Sequence, residues 1–240
     1  MNKRGQIALY VIIALLIVAA IGAVVYIKQK STGLPSPSDD IKAIRIFVGS
    51  CLDKTAEDAL MMIGLQGGYY IPPAHSFGTV AYYYYEGQRY FPEKSTIENQ
   101  LGSYVSDNLG NCIKDFKDFP DFSITKGAVS AKATILEDKV IFDIDYPLTI
   151  TRMSTSQVSK FSTEIPSRIY TIYRVAALIM AEQMDSDKIC ISCIIDHADE
   201  NEVYVSMENY NNDTVVFSIQ DSKLPLVGDY YEFNFVNKYK

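Results

Sequence analysis

From Ile7 to Ile27 the chain carries no charge, and Ile, Leu, Val and Ala dominate the run. A helix rising about 1.5 Å per residue would make it roughly 31 Å long, the hydrocarbon thickness of a bilayer. A helix that is apolar all round has no face to offer water, so the run predicts a membrane span, with lipid as the partner of residues 7–27. A cleaved secretory signal is the competing reading. It calls for an apolar region of only about 7 to 15 residues and a small-residue cleavage site. This run is longer, and Val24-Val25-Tyr26-Ile27 is a poor site, so the span is expected to be retained. Lys3, Arg4 and the amino terminus on one side, against Lys28 and Lys30 on the other, place the short N-terminus inside by a narrow margin.

The residues just ahead of the run, Lys3-Arg4-Gly5-Gln6, give it a second meaning. A basic pair and Gly before a Gln that opens an apolar helix resembles the class III signal of archaeal type IV pilin-like proteins. The resemblance implies cleavage by a prepilin peptidase between Gly5 and Gln6, and possible self-association into a filament. It covers the N-terminal segment alone and departs from the family at Ala8, where Ser is usual, and at Tyr10, where Glu is usual.

Beyond residue 28 the chain is long enough for a sizeable core. Removing Lys3, Arg4 and Lys28 from the 22 Lys and Arg leaves 19 against 29 acidic residues, a net charge of about −10. No basic footprint for nucleic acid remains, so none is expected as a partner. Ser31 to Ser38, with Gly33, Pro35 and Pro37, reads as part of a linker over residues 29–39 that separates the anchor, residues 1–28, from a domain over residues 40–240. A break of this kind suits a tethered domain.

The domain reads as α+β: one N-terminal transmembrane helix followed by an ectodomain of three helices and antiparallel β-hairpins or a meander. The first helix is expected over residues 40–63, from the helical spacing of Ile41, Ile44, Val48, Cys51, Leu52, Ala59, Met62 and Ile63. Thr79 to Tyr85 and Arg89 to Phe91 flank a turn and predict a hairpin. Ser95-Thr96-Ile97-Glu98 has the form of a capping box opening a second helix, with Ile97, Leu101, Val105, Leu109, Cys112, Ile113 and Phe116 on one face. Strands are expected at Phe122 to Thr125, Val129 to Ile135 and Val140 to Ile150, the last alternating without a break. Ser154 to Ser162 reads as a loop, and a third helix should open at Thr163. Strands near Ile189 to Ile195, Glu202 to Met207, Thr214 to Ile219 and Tyr230 to Val236 complete the pattern.

Four cysteines, Cys51, Cys112, Cys190 and Cys193, form an even set in a chain expected outside the cytoplasm, where disulfides persist. Cys51 and Cys112 lie on apolar helix faces, so a helix-to-helix disulfide, a zinc site completed by Cys190, Cys193 or His197, and buried thiols are all open readings. Cys190-Ile191-Ser192-Cys193 has redox spacing. In thioredoxin-type sites, however, the pair starts a helix, which lowers the first thiol's pKa; here an Ile-rich strand is expected, and that activation would be missing.

Other chemistries find little support. Asp143 and Asp145 share a strand face, as an acid and base would, but they are the polar half of an alternating strand. Asp196, Asp199 and Glu200 lack the spacing of a calcium loop. His75 and His197 are the only histidines, and neither a G-x-S-x-G nor a phosphate-cradling glycine motif occurs. No catalytic residue, metal or cofactor is assigned, and the chain is expected not to be an enzyme. Tyr82, Tyr83, Tyr84 and Tyr85 are the expected contact surface, because amphipathic rings on a strand stack on sugars or anchor a protein partner. Asn212-Asp213-Thr214 is a glycosylation sequon in an expected surface turn. The expectation is a single-pass cell-membrane protein, its bulk outside, contacting envelope proteins or glycans.

Overall fold

The computed structural model describes residues 37–185, 189–226 and 228–239. The chain parts into two compact units, residues 1–44 and 45–240. Of the first, the described residues 37–44 are the opening turns of a helix, so Pro37 to Asp39 are helical rather than linker. Both sheets and the remaining helices belong to the second unit.

Among the described residues there are four α-helices: α1 (Pro37–Leu65), α2 (Lys94–Ile113), α3 (Ile169–Asp185) and α4 (Ile191–Asn201). None is long and apolar enough to cross a membrane. The expected architecture of one transmembrane helix and a three-helix head is therefore corrected to α+β with four helices and two sheets. The anticipated span at residues 7–27 and the processing site Gly5 and Gln6 lie outside the described residues.

The first sheet has six strands: β1 (Ser76–Phe77), β2 (Val80–Tyr85), β3 (Gln88–Arg89), β8 (Tyr204–Asn209), β9 (Thr214–Leu226) and β10 (Asp229–Lys238), in the order β1-β2-β10-β9-β8 with β3 paired to β2. The second has four: β4 (Ser123–Lys126), β5 (Ser130–Ile135), β6 (Lys139–Thr151) and β7 (Thr155–Pro166). In it β6 pairs with β4 and β5 on one side and with β7 on the other.

The alternation read in β6 is realised. Val140, Phe142, Ile144, Tyr146, Leu148 and Ile150 are all buried, while the residues between them are not. A register shift against β7 falls between Asp145 and Leu148. Pro147 sits there, and a residue with no N–H belongs at such an irregularity.

The edge of β5 away from β6 is covered by a helix. Residues Glu98, Gly102 and Ser106 recur every fourth position on α2 and so form one stripe. Ile135 N–H donates to Glu98 Oε1 at 2.8 Å, and Ala131 N–H donates to Ser106 Oγ at 2.9 Å. Between them, a Cβ at Gly102 would lie 2.7 Å from the Ala131 carbonyl oxygen, so only glycine admits the helix this close. The stripe supplies the bonds a neighbouring strand would give and closes an edge open to aggregation. Glu98 therefore serves β5 and an ion pair with Lys94 instead of the expected capping box. The helix starts after Glu93 without a side-chain cap.

Two further elements differ from expectation. Residues 155–166, read as a loop followed by a helix start at Thr163, form β7, and α3 begins only at Ile169. The Ile189 to Ile195 region, read as a strand, instead opens α4, with Cys190 as its N-cap.

The core of the first sheet is aromatic. Tyr83 on β2 is fully buried and stacks on Phe235 of β10 at 4.7 Å, which stacks on Phe217 of β9 at 4.8 Å. Each ring buries apolar area worth roughly 2 to 3 kcal/mol, and stacking adds a little more. The Tyr83 hydroxyl, carried inside, donates to the Gly67 carbonyl at 3.1 Å. Helices α3 and α4 pack on each other, α3 also against β9 and α4 against β8.

Candidate functional site

The parallel pairing of β2 with β10 sets Tyr82 beside Val236 and Tyr85 beside Lys238. At this end of the sheet a cavity of about 330 Å³ opens, lined among others by His75, Phe77, Tyr82, Tyr85, Asp213 and Lys238. Four chain regions supply it: the segment leading through β1, strand β2, the β8–β9 turn and the end of β10.

Aromatic rings form its wall. Tyr82 and Tyr85 meet edge to face at 5.0 Å, Phe77 meets Tyr210 at 4.6 Å, and His75 lies 5.2 Å from Tyr85 and 4.4 Å from Tyr90. Lys238 Nζ sits 5.1 Å from the centre of the Tyr85 ring, within cation–π range, and donates to Glu86 Oε1 at 2.7 Å. That bond with Glu86 holds the Lys238 ammonium above its usual pKa. Burial pushes the Tyr82 phenol up, against a smaller lowering by Lys238. Asp213 accepts from the Thr214 hydroxyl at 2.8 Å.

The four tyrosines thus divide. Tyr83 belongs to the core and Tyr84 leans towards Tyr239, with ring centres 5.8 Å apart. Tyr82 and Tyr85 remain at the cavity. Phe77, Asn211, Asp213 and Lys238 were missed from sequence; the aromatic run was the only local signal, because the pairing of residues 150 positions apart has none. The wall offers flat apolar faces, and the rim offers a cation, a carboxylate and an amide. Its charged groups are already engaged with neighbours. This arrangement suits recognition of a polar ligand with a flat face more than proton transfer.

Asn212 is exposed at the same turn, beside Asn211 and Asp213 of the cavity lining. Thr214, the third residue of its sequon, is buried with its hydroxyl on Asp213. Glycan transfer would have to precede closure of β9.

The cysteines form two bridges. Cys51–Cys112 ties α1 to α2, with Cα atoms 5.6 Å apart and a sequence separation of 61. Cys190–Cys193 closes within the first turn of α4. With the sulfurs so paired, the four-cysteine zinc reading is overturned, and among the described residues no cluster of His, Cys, Asp or Glu could hold a metal. Asp143 and Asp145 are held on the wetted face of β6 by Ser162 at 2.8 Å and Lys160 at 2.7 Å. His197 is far from His75 in sequence and in role; its Nε2 is 3.8 Å from Glu182 Oε1. No known family model, curated protein or solved structure matches the chain.

Proposed function

We propose that the chain is an extracytoplasmic cell-envelope protein, held at a membrane by the apolar stretch that precedes the domain, and that its cavity acts by binding rather than catalysis. The cavity at the end of β2 and β10 is its contact site, and a glycan of the envelope is the partner its chemistry suits. The observation that carries this reading is the meeting of Tyr82, Tyr85, Phe77 and His75 with Lys238, Asp213 and Asn211 around one opening. A sugar ring presents an apolar face for the aromatic wall and hydroxyls for the carboxylate, amide and ammonium. The apolar run, its basic start and the two disulfides support an exported domain. The Lys3-Arg4-Gly5-Gln6 start supports processing after Gly5 in the manner of pilin-like proteins.

Binding of the detergent-solubilised full chain to envelope polysaccharide fragments tests the reading. Tyr85→Ala and Asp213→Asn should each weaken binding about tenfold while leaving the unfolding midpoint unchanged to within a degree or two. Equal binding by both variants and the parent would sink the contact site. Protease added to intact cells should digest the domain; protection until lysis would sink the extracytoplasmic placement.

A further inference from the structure

Cys190 and Cys193 differ from Cys51 and Cys112 in what their bond holds together and in where the sulfurs sit on their helix. The Cys51–Cys112 bridge ties two helices together; Cys51 is 3% exposed and Cys112 is half-buried. The Cys190–Cys193 bridge ties no separate elements, since both residues lie in one turn, and each is only half-buried. Opening it would leave the packing of α4 on α3 and β8 in place, because that packing rests on residues such as Ile194 and Ala198 further along the helix.

The position also favours a thiolate. Cys190 is the N-cap of an eleven-residue helix, and its Sγ accepts the Cys193 N–H at 3.3 Å. Free backbone N–H groups and the positive end of the helix dipole lower the pKa of a thiol placed there. No acidic residue stands in the first turn to oppose this. The reason for setting redox chemistry aside, a CxxC inside a strand, is thereby removed. A further feature points to a partner: Ile191, between the two cysteines, and Ile195, one turn on, are 58% and 54% exposed. Two isoleucines left in water beside a disulfide make a small apolar rim on which a polypeptide can rest.

We propose that Cys190–Cys193 is a thiol–disulfide exchange couple whose substrates are the dithiols and disulfides of other proteins, docked on Ile191 and Ile195. In the reduced form the Cys190 thiolate attacks one sulfur of a partner disulfide. An S–S bond forms between Cys190 and that sulfur, the partner's own S–S bond breaks, and its second sulfur leaves as a thiolate. Cys193 then gives its proton to water and attacks the Cys190 sulfur, expelling the first partner sulfur as a thiolate. The partner gains two electrons and, on protonation, becomes a dithiol; Cys190 and Cys193 lose two electrons and close their bond. The reverse sequence, with a partner dithiol as reductant, opens it. This stands independently of the glycan-binding reading.

The test uses the folded full chain equilibrated with mixtures of reduced and oxidised dithiothreitol, quenched with a maleimide and read by peptide mass spectrometry. Cys190 and Cys193 should be alkylated as a pair while Cys51–Cys112 stays closed and the far-ultraviolet circular dichroism is unchanged. Reduced Cys193→Ser should trap a mixed disulfide at Cys190 with insulin, about tenfold faster than Cys190→Ser does at Cys193. Ile195→Asp should slow reduction of insulin at least about fivefold and leave the rate with oxidised dithiothreitol within about twofold, because the small probe needs no docking rim. If the Cys190–Cys193 bond opens only together with Cys51–Cys112, or only as α4 unfolds, the exchange couple is wrong. If Ile195→Asp leaves both rates alone or slows both alike, the protein-docking rim is wrong.

Discussion

Arg168 donates through Nη1 to Asp221 Oδ1 at 2.7 Å, and Asp221 is entirely shielded from solvent. The same guanidinium donates through Nη2 to the Asn201 carbonyl at 2.6 Å, and the Lys223 N–H completes the partners of Asp221 Oδ1. One side chain thus joins the start of α3, the end of α4 and the middle of β9. Removing either member of a buried pair leaves an uncompensated charge, which costs far more than the pair contributes when intact.

Arg168→Ala should therefore destabilise the domain by about 3 to 5 kcal/mol in urea unfolding. Asp221→Asn, which keeps an acceptor but removes the charge, should cost less. A loss under about 1 kcal/mol for Arg168→Ala would show that water reaches Asp221 and that the three elements are joined some other way.

The α2 stripe over the β5 edge makes a separate prediction. Gly102→Ala forces the helix off the Ala131 carbonyl and should cost about 1 to 3 kcal/mol. Glu98→Ala should speed amide hydrogen exchange at Ile135 specifically, since that N–H loses its acceptor. Unchanged exchange at Ile135 would mean the helix does not close the edge.

Loss of the Cys51–Cys112 bridge, by replacing both residues with Ser, should lower stability by about 4 kcal/mol in the loop-entropy picture, given its separation of 61 residues. Comparing thermal midpoints of the double variant and the oxidised parent checks this. Coincident midpoints would mean that the denatured chain is already confined without the bond.

Alkali should destabilise the domain in a defined window. Burial pushes the phenols of Tyr83 and Tyr231 above their ordinary value, and for Tyr83 the neighbouring Tyr69, Tyr173 and Tyr231 add to the effect. The folded state then keeps a proton that the unfolded state gives up. Stability is complete below a pH of about 10 and falls above it, by about 1.4 kcal/mol per pH unit for each such group. Denaturant unfolding at successive pH values from about 9 to 11 reads the slope directly. Tyr231→Phe should reduce that slope and leave stability at neutral pH equal or higher, because the buried Tyr231 hydroxyl has no hydrogen-bond partner. Equal stability across the window would refute the burial of both phenols.

What was legible and what was not divides along particular residues. The strand β6 could be read because Val140, Phe142 and Ile144 alternate with polar neighbours, as one covered face requires. Its partner β7 could not, since Thr155 to Pro166 is polar on both faces over most of its length. That segment is a strand because β6 offers it hydrogen bonds, which needs no side-chain signature. Ile191 to Ile195 was misread for the opposite reason: β-branched residues favour strands when taken alone, but Ile194 and Ala198 bury on one side at helical spacing and Cys190 caps the turn. At the cavity, only the tyrosine run was visible beforehand.

By itself the sequence determined the apolar run, the acidic balance, the helical faces of α1 and α2, the alternation of β6 and an even set of cysteines. Each follows from residue spacing, because a periodic face records which side of an element must leave water. Tertiary structure decided the parallel union of β2 with β10, the cavity that union creates, the strand identity of β7 and the helical start that places Cys190 at a cap. Those rest on hydrogen bonds and contacts between segments far apart in the chain, whose free energy no local window contains.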